Sequence, residues 1–212
     1  MWPRWTEPRL PLLLLLVAGT SACGGLPWHE EPDATALVAA PDPVATARYT
    51  EALAALAAGD DARAQPRLQE LVQQYPDQAG PMVNLALVHG RRGEPEPAML
   101  LLERAVTVCT SCAVAWNELG ILQRQQGRFA DAEQSYLKAL AADAGYANAA
   151  FNLGVLYELY LQRPELAMEQ YTHFRQLLAD DPAGGDVDKW IADLKRRTRG
   201  VQRAAQAEGS PP

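Results

Sequence analysis

The sequence has few of the side chains that most catalytic and metal sites require. It holds three histidines and three cysteines in 212 residues. It contains no nucleophile elbow, phosphate-binding loop, H-E-x-x-H motif or paired-carboxylate spacing. A structural zinc site needs four ligands, and no second C-x-x-C or close histidine pair is present. We therefore expect a protein that is not an enzyme and holds no metal or cofactor.

Basic charge is also scarce. The chain has 19 lysines and arginines against 26 aspartates and glutamates, for a formal net charge of -7. An acidic domain without a basic stripe is repelled by phosphate backbones, so we expect no nucleic-acid partner.

The chain has one clearly apolar run, Leu10–Ala18, which is too short to cross a bilayer as a helix. Arginines precede it and small residues lead from it to Cys23, as in a secretory signal. The string Thr20-Ser21-Ala22-Cys23 resembles a bacterial lipobox. The resemblance implies a signal peptide over residues 1–22 and acylation of Cys23. A plain secretory signal that is cut near Ala22 is the alternative.

The residue after Cys23 is Gly24 rather than aspartate, which by the same resemblance implies sorting to the outer membrane, facing the periplasm. Residues 23–44 are rich in proline, glycine and acidic residues. We predict that they form a disordered tether between the lipidated cysteine and the folded domain.

A 34-residue period occupies most of the remaining chain. In residues 113–146, Trp116, Leu119 and Gly120 have the spacing W-x2-L-G. Twelve residues after the glycine, Ala132 begins an A-x3-Y-x2-A run. This unit resembles a tetratricopeptide repeat. Related patterns recur one period earlier and later, so we predict repeats at residues 45–78, 79–112, 113–146 and 147–181.

The resemblance implies an all-α fold, an α-solenoid of about four helix-turn-helix repeats. Gly127 is predicted to end a first helix in a left-handed conformation. In the fourth repeat we place one extra residue in the turn around 162–165 and expect a second helix about one turn longer than usual.

A capping helix is predicted over residues 182–200. It has an apolar face of Val187, Trp190, Ile191 and Leu194, and a polar outer face of Lys189, Lys195, Arg196 and Arg197. We predict that residues 201–212 form a disordered tail.

Cys109 and Cys112 lie in the turn between the second and third repeats. A tight turn brings residues three positions apart within the distance that a disulfide requires. Because cysteines pair in an oxidising compartment, our first interpretation is a structural disulfide, a staple that fixes this turn. A redox-active C-x-x-C and a zinc site are the alternatives.

The first helix of each repeat lines the inner, concave surface of a solenoid, where its free face is available to a ligand. Asparagine amides bind peptide backbones, and apolar side chains offer pockets. The predicted groove residues are Val83, Asn84, Leu87, Asn117, Ile121, Arg124, Phe151, Asn152, Val155 and Glu158. Packing between repeats is the alternative role for Leu87 and Val155.

The sequence therefore predicts a membrane-anchored scaffold that binds a peptide or protein partner of the cell envelope. By resemblance, anchored repeat lipoproteins serve as pilotins for pilus or secretion channels, or as adaptors for cell-wall enzymes. The competing hypothesis is a periplasmic redox or metal-handling protein that uses Cys109 and Cys112.

Overall fold

The computed structural model describes residues 42–178 and 184–208, with side chains for 42–178 and 187–200. The predicted signal peptide, Cys23 and most of the predicted tether lie outside the described residues, as do residues 209–212. The chain is divided into two compact units, with the boundary between Ala64 and Gln65. The described helices are α1 (Pro43–Ala57), α2 (Asp61–Gln74), α3 (Ala79–Arg91), α4 (Pro95–Val108), α5 (Ala113–Gln125), α6 (Phe129–Ala142), α7 (Ala147–Val155), α8 (Pro164–Leu177) and α9 (Gly184–Glu208).

In the first unit, α1 begins with a proline, and the Asp42 carboxylate accepts a hydrogen bond of 2.9 Å from the Val44 N–H. Proline at the first helical position has a preset φ and no N–H to leave unpaired. Ala45, Ala52 and Ala55 form the buried side of this helix.

In the second unit, helices pair in chain order. The pairs α3 with α4, α5 with α6, and α7 with α8 pack as hairpins, and α4 with α5 and α6 with α7 join one hairpin to the next. The first helices are also neighbours, since α5 contacts both α3 and α7. The fold is all-α, an α-solenoid of helix-turn-helix repeats closed by a C-terminal capping helix. Helices α3, α5 and α7 begin at the first residues predicted for their repeats.

Small residues let the paired helices approach each other. A methyl group added at Gly120 would lie 2.6 Å from the Tyr136 ring, and one at Gly154 would lie 2.6 Å from the Tyr171 ring. Each tyrosine ring therefore packs directly against the backbone of the preceding helix, which explains the spacing of glycine and tyrosine in the repeat.

The first helices of three repeats end alike. Gly59, Gly93 and Gly127 have φ values of 72°, 74° and 74°. In the third repeat, the Arg128 N–H donates to the Gln123 carbonyl at 2.8 Å, and the Gly127 N–H donates to the Arg124 carbonyl at 3.0 Å. This is a Schellman cap, for which glycine is the residue of lowest cost.

The fourth repeat differs, and our placement of its extra residue in the turn was wrong. Helix α7 continues as a π-helical turn over Leu156–Tyr160, so the insertion widens the helix itself. The left-handed residue is then Gln162, with φ 53°. The prediction of a longer second helix was also wrong, because α8 has 14 residues like α4 and α6.

Helix α9 packs on α8 and buries the predicted apolar face. Val187, Ile191 and Leu194 are 1%, 8% and 1% exposed. The helix extends beyond Gly200 to Glu208, so the prediction of disorder from residue 201 was wrong for residues 201–208. The added segment consists mainly of glutamine, alanine, arginine and glutamate, which are good helix formers, and one glycine does not outweigh them.

Candidate functional site

The predicted groove residues lie on α3, α5 and α7 and on the π-helical turn that continues α7. They occupy four places in the 34-residue period, which recur as 83, 117 and 151; 84, 118 and 152; 87, 121 and 155; and 90, 124 and 158. We call the side of these helices that carries the four places the inner face.

The first place is used for packing. Val83 is 8% exposed and Asn117 is 1% exposed. Phe151 is half-buried, and its ring centroid lies 5.2 Å from that of Phe174 and 5.9 Å from that of Trp190 in α9. The capping helix therefore covers the inner face at its fourth-repeat end.

The asparagines form contacts within the chain. The Asn152 amide donates to the Asn117 side-chain oxygen at 3.0 Å, and the Asn117 amide donates to the Glu118 carboxylate at 3.1 Å. The Asn84 amide donates to the Gly80 carbonyl of its own helix at 3.1 Å. Asn84 and Asn152 are half-buried, so both keep part of their surface open to solvent.

Apolar side chains occupy the third place. Leu87, Ile121 and Val155 are all half-buried. Ile121 and Val155 pack against the buried core of the third and fourth repeats while keeping an exposed part. They form an apolar stripe along the inner face.

The fourth place carries opposite charges in successive repeats. Glu158 accepts a hydrogen bond of 3.0 Å from the Tyr171 hydroxyl and forms an ion pair with Arg197 of α9. Arg197 thus points to the fourth repeat, and its placement on the polar outer face was wrong. The contact is favourable because the Glu158 side chain is only 16% exposed.

Arg124 has a different environment. Its guanidinium lies 5.6 Å from the centre of the Tyr160 ring, and its Nη1 is 3.5 Å from the Tyr160 hydroxyl. These contacts combine a cation–π interaction with a long hydrogen bond. The sequence pattern did not indicate Tyr160, because the extra residue in the π-helical turn shifts it from the regular register.

Burial raises the pKa of the tyrosines behind this face. Burial and then the Glu158 carboxylate raise the pKa of Tyr171 well above its usual range. Burial likewise raises the pKa of Tyr136, and the nearby Arg124 partly offsets the increase. Burial, followed by a hydrogen bond of 2.9 Å to Glu133, raises the pKa of Tyr157 to about 12. All three hydroxyls therefore stay protonated at neutral pH and can serve as donors.

Cys109 follows the last residue of α4 and Cys112 precedes the first residue of α5. Their sulfurs are within bonding distance, and their Cα atoms are 5.4 Å apart, inside the range of a disulfide. The Cys112 N–H donates to the Cys109 carbonyl at 3.2 Å. The equivalent turns at Tyr75–Gln78 and Asp143–Tyr146 have the same hydrogen bond without cysteines. The turn therefore forms by its backbone alone.

In the described part of the chain, no group of three or more histidine, cysteine or acidic side chains is arranged to hold a metal ion. None of the described helices is both long and apolar enough to cross a membrane.

Two stretches of the chain match one protein family. Residues 49–112 and 117–172 match the tetratricopeptide repeat family. This is more than half of the chain, and the chain belongs to that family. No curated protein matches the chain.

Three solved structures show the same fold. PilF of Pseudomonas aeruginosa is 24% identical with a TM-score of 0.64, over 79% of this chain and 77% of PilF. The protein MamA is 17% identical with a TM-score of 0.55, over 79% of this chain and 97% of MamA. YrrB, described as a TPR protein with an unusual peptide-binding site, is 21% identical with a TM-score of 0.56, over 68% of this chain and 74% of YrrB.

Proposed function

We propose that the protein is a non-enzymatic scaffold that binds a peptide or protein partner on its inner face. The observation that supports this most directly is the combination on α3, α5 and α7 of an apolar stripe, the half-buried amides of Asn84 and Asn152, and Arg124. Apolar area supplies affinity, while a few fixed polar groups orient a peptide backbone. Stacked repeats characteristically use such extended surfaces for binding.

Photo-crosslinking tests this proposal. A photoreactive amino acid is placed at Leu87 or Glu118 on the inner face, and at Leu100 or Leu137 on the second helices. Leu100 and Leu137 are 63% and 40% exposed and serve as matched controls. We expect adducts with envelope proteins from the inner positions only. Equal adducts from both sets would contradict the inner-face site.

We further propose that the chain is a lipoprotein of the outer membrane, facing the periplasm, attached through Cys23. The support is the apolar run and the lipobox-like string that precedes the cysteine. Two or three acyl chains bury enough methylene groups to make such an anchor permanent. Mass spectrometry of the mature N-terminus tests it: a diacylglyceryl Cys23 is expected, and an unmodified N-terminus would contradict it.

Within the envelope, we propose a pilotin-like role in pilus or secretion assembly, with an adaptor for cell-wall enzymes as the alternative. The fold likeness to PilF supports looking there first. Identification of the crosslinked partners by mass spectrometry distinguishes a channel subunit from a cell-wall enzyme.

We propose that Cys109 and Cys112 form a structural disulfide rather than a redox centre. The support is the common backbone geometry of the three turns, of which only one has cysteines. Thiol counting tests the pairing: protein purified in air should show no reactive thiol at these positions. Two reactive thiols there would contradict it.

A further inference from the structure

Arg124 differs from Glu158, the half-buried charge one repeat later, because no acidic side chain of residues 42–178 or 187–200 forms an ion pair with it. Among the described residues it contacts the Tyr160 ring and hydroxyl, and it lies beside the buried Tyr136 hydroxyl. At the same place of the next repeat, Glu158 pairs with Arg197. A guanidinium that is partly removed from water is costly without a counter-charge, and its planar fork matches a carboxylate.

The Tyr136 hydroxyl beside Arg124 also lacks a hydrogen-bond partner in the described part of the chain. The Tyr136 side chain is 0% exposed, and its oxygen and the Arg124 Nε are both buried without a bond. Arg124 lies close enough to lower the pKa of this hydroxyl through its charge and through hydrogen bonding, although the Tyr136 oxygen and the Arg124 Nε do not reach full hydrogen-bond geometry. The equivalent hydroxyl in the fourth repeat, that of Tyr171, donates to Glu158. The third repeat therefore has no carboxylate at the place where the fourth repeat has Glu158, because Arg124 occupies that place.

The surroundings define the rest of the ligand. Ile121 on the apolar stripe lies one helical turn before Arg124, and the Tyr160 side chain, 41% exposed, provides an aromatic wall. Glu118 lies near the Tyr136 hydroxyl, and its carboxylate already accepts the Asn117 amide. A second acidic group on the ligand would face Glu118 and the net negative charge of the chain. The chemistry thus favours one carboxylate among apolar side chains over a polyacidic segment.

We propose that Arg124, Tyr136 and Tyr160 form a subsite for a single carboxylate of an otherwise apolar peptide segment. The inference rests on the proposed inner-face function and names the partner's chemistry. The carboxylate comes either from an aspartate or glutamate side chain or from the C-terminus of the bound segment. In both cases it accepts hydrogen bonds from the guanidinium, beside which the fully buried Tyr136 hydroxyl lies.

A random dodecapeptide library panned against the intact chain provides the probe. The tightest binder is synthesised with its acidic residue changed to the amide, and separately with an amidated C-terminus, and dissociation constants are measured by calorimetry. We expect one of these two changes to weaken binding by about tenfold or more. Which one it is identifies the source of the carboxylate.

Three protein variants are then measured with the acidic peptide and with its amide form. Arg124→Gln should weaken binding of the acidic peptide by a similar factor and should change binding of the amide peptide little. Tyr136→Phe, which removes an unpaired hydroxyl and should fold normally, should weaken it by a smaller factor. Arg104→Gln, an exposed arginine on α4, is the matched control and should have no effect. Thermal melts establish that each variant is folded.

Different results would contradict the carboxylate subsite and the binding function of the inner face. Equal affinity for acid and amide peptides, or binding that is indifferent to Arg124→Gln, would overturn the carboxylate subsite while leaving inner-face binding intact. Panning that yields no binder, or binders whose affinity does not change on Leu87→Glu, would contradict the inner-face function itself.

Discussion

Tyr136 and Tyr171 show how one repeat position gives two energetic outcomes. Both rings pack on a glycine of the preceding helix, and both are almost completely buried. The Tyr171 hydroxyl has a carboxylate acceptor because the fourth repeat has Glu158 where the third has Arg124. A buried hydroxyl stabilises a fold only when it is paired, so the value of the phenol depends on a residue twelve or thirteen positions earlier.

We expect Tyr171→Phe to lower the free energy of unfolding by about 2 kcal/mol, because it removes a hydrogen bond to a charged acceptor. Tyr136→Phe should change it by less than about 0.5 kcal/mol, since no hydrogen bond is lost. Urea denaturation of both variants checks the difference. Equal losses in the two would indicate that the Tyr136 hydroxyl has a partner in solution.

At the scale of the element, the fourth repeat absorbs an insertion inside a helix. The π-helical turn Leu156–Tyr160 takes up the extra residue and places Tyr160 against Phe129, with ring centroids 4.9 Å apart. The turn that follows has Gln162 in the left-handed region where the other repeats have glycine. A side chain costs energy there.

Gln162→Gly should therefore raise the free energy of unfolding by about 1 kcal/mol, as the left-handed conformation is released from its steric penalty. The matched control is Gln126→Gly, just before the left-handed glycine of the third repeat, where φ is -84°. That change should be neutral or destabilising. Thermal unfolding compares the two, and a loss of stability for Gln162→Gly would contradict the argument.

The turn between α4 and α5 gives a prediction that separates the staple from redox chemistry. Changing both Cys109 and Cys112 to serine should cost at most about 2 kcal/mol, the chain-entropy value for a four-residue loop. Peptide binding on the inner face should be unchanged. Denaturation and calorimetry measure both quantities, and reduced wild-type protein should behave like the variant. Loss of binding on reduction would instead favour the redox alternative.

The sequence predicted the starts of α3, α5 and α7 because glycine and alanine are required where paired helices touch, so their spacing records the packing. It could not place the insertion, since an extra residue fits the same spacing whether a turn or a helix absorbs it. The Asn152–Asn117 bond and the Arg197–Glu158 pair join positions 35 and 39 residues apart. Such contacts depend on how neighbouring repeats stack, and the residue pattern within a single repeat does not specify that stacking.

At the scale of the whole molecule, neighbour-only packing limits how far a perturbation spreads. In the second unit, α9 packs on α8 and reaches Phe151 and Glu158 of the fourth repeat. In a stack where each repeat contacts only its neighbours, stability is nearly a sum of repeat and interface terms. The end of the stack can therefore loosen while its earlier repeats stay folded.

The variant Ile191→Ala with Leu194→Ala tests this directly. Truncation of two buried aliphatic side chains should weaken the α8–α9 interface by several kcal/mol, at roughly 2–5 kcal/mol for each side chain. Hydrogen exchange should then speed up most in α7, α8 and α9 and least in α3 and α4. Lys195→Ala on the exposed side of α9 is the control and should leave the exchange pattern unchanged. A uniform loss of protection from α3 to α9 would show that the second unit unfolds as one cooperative block, and the additive description of its repeats would be wrong.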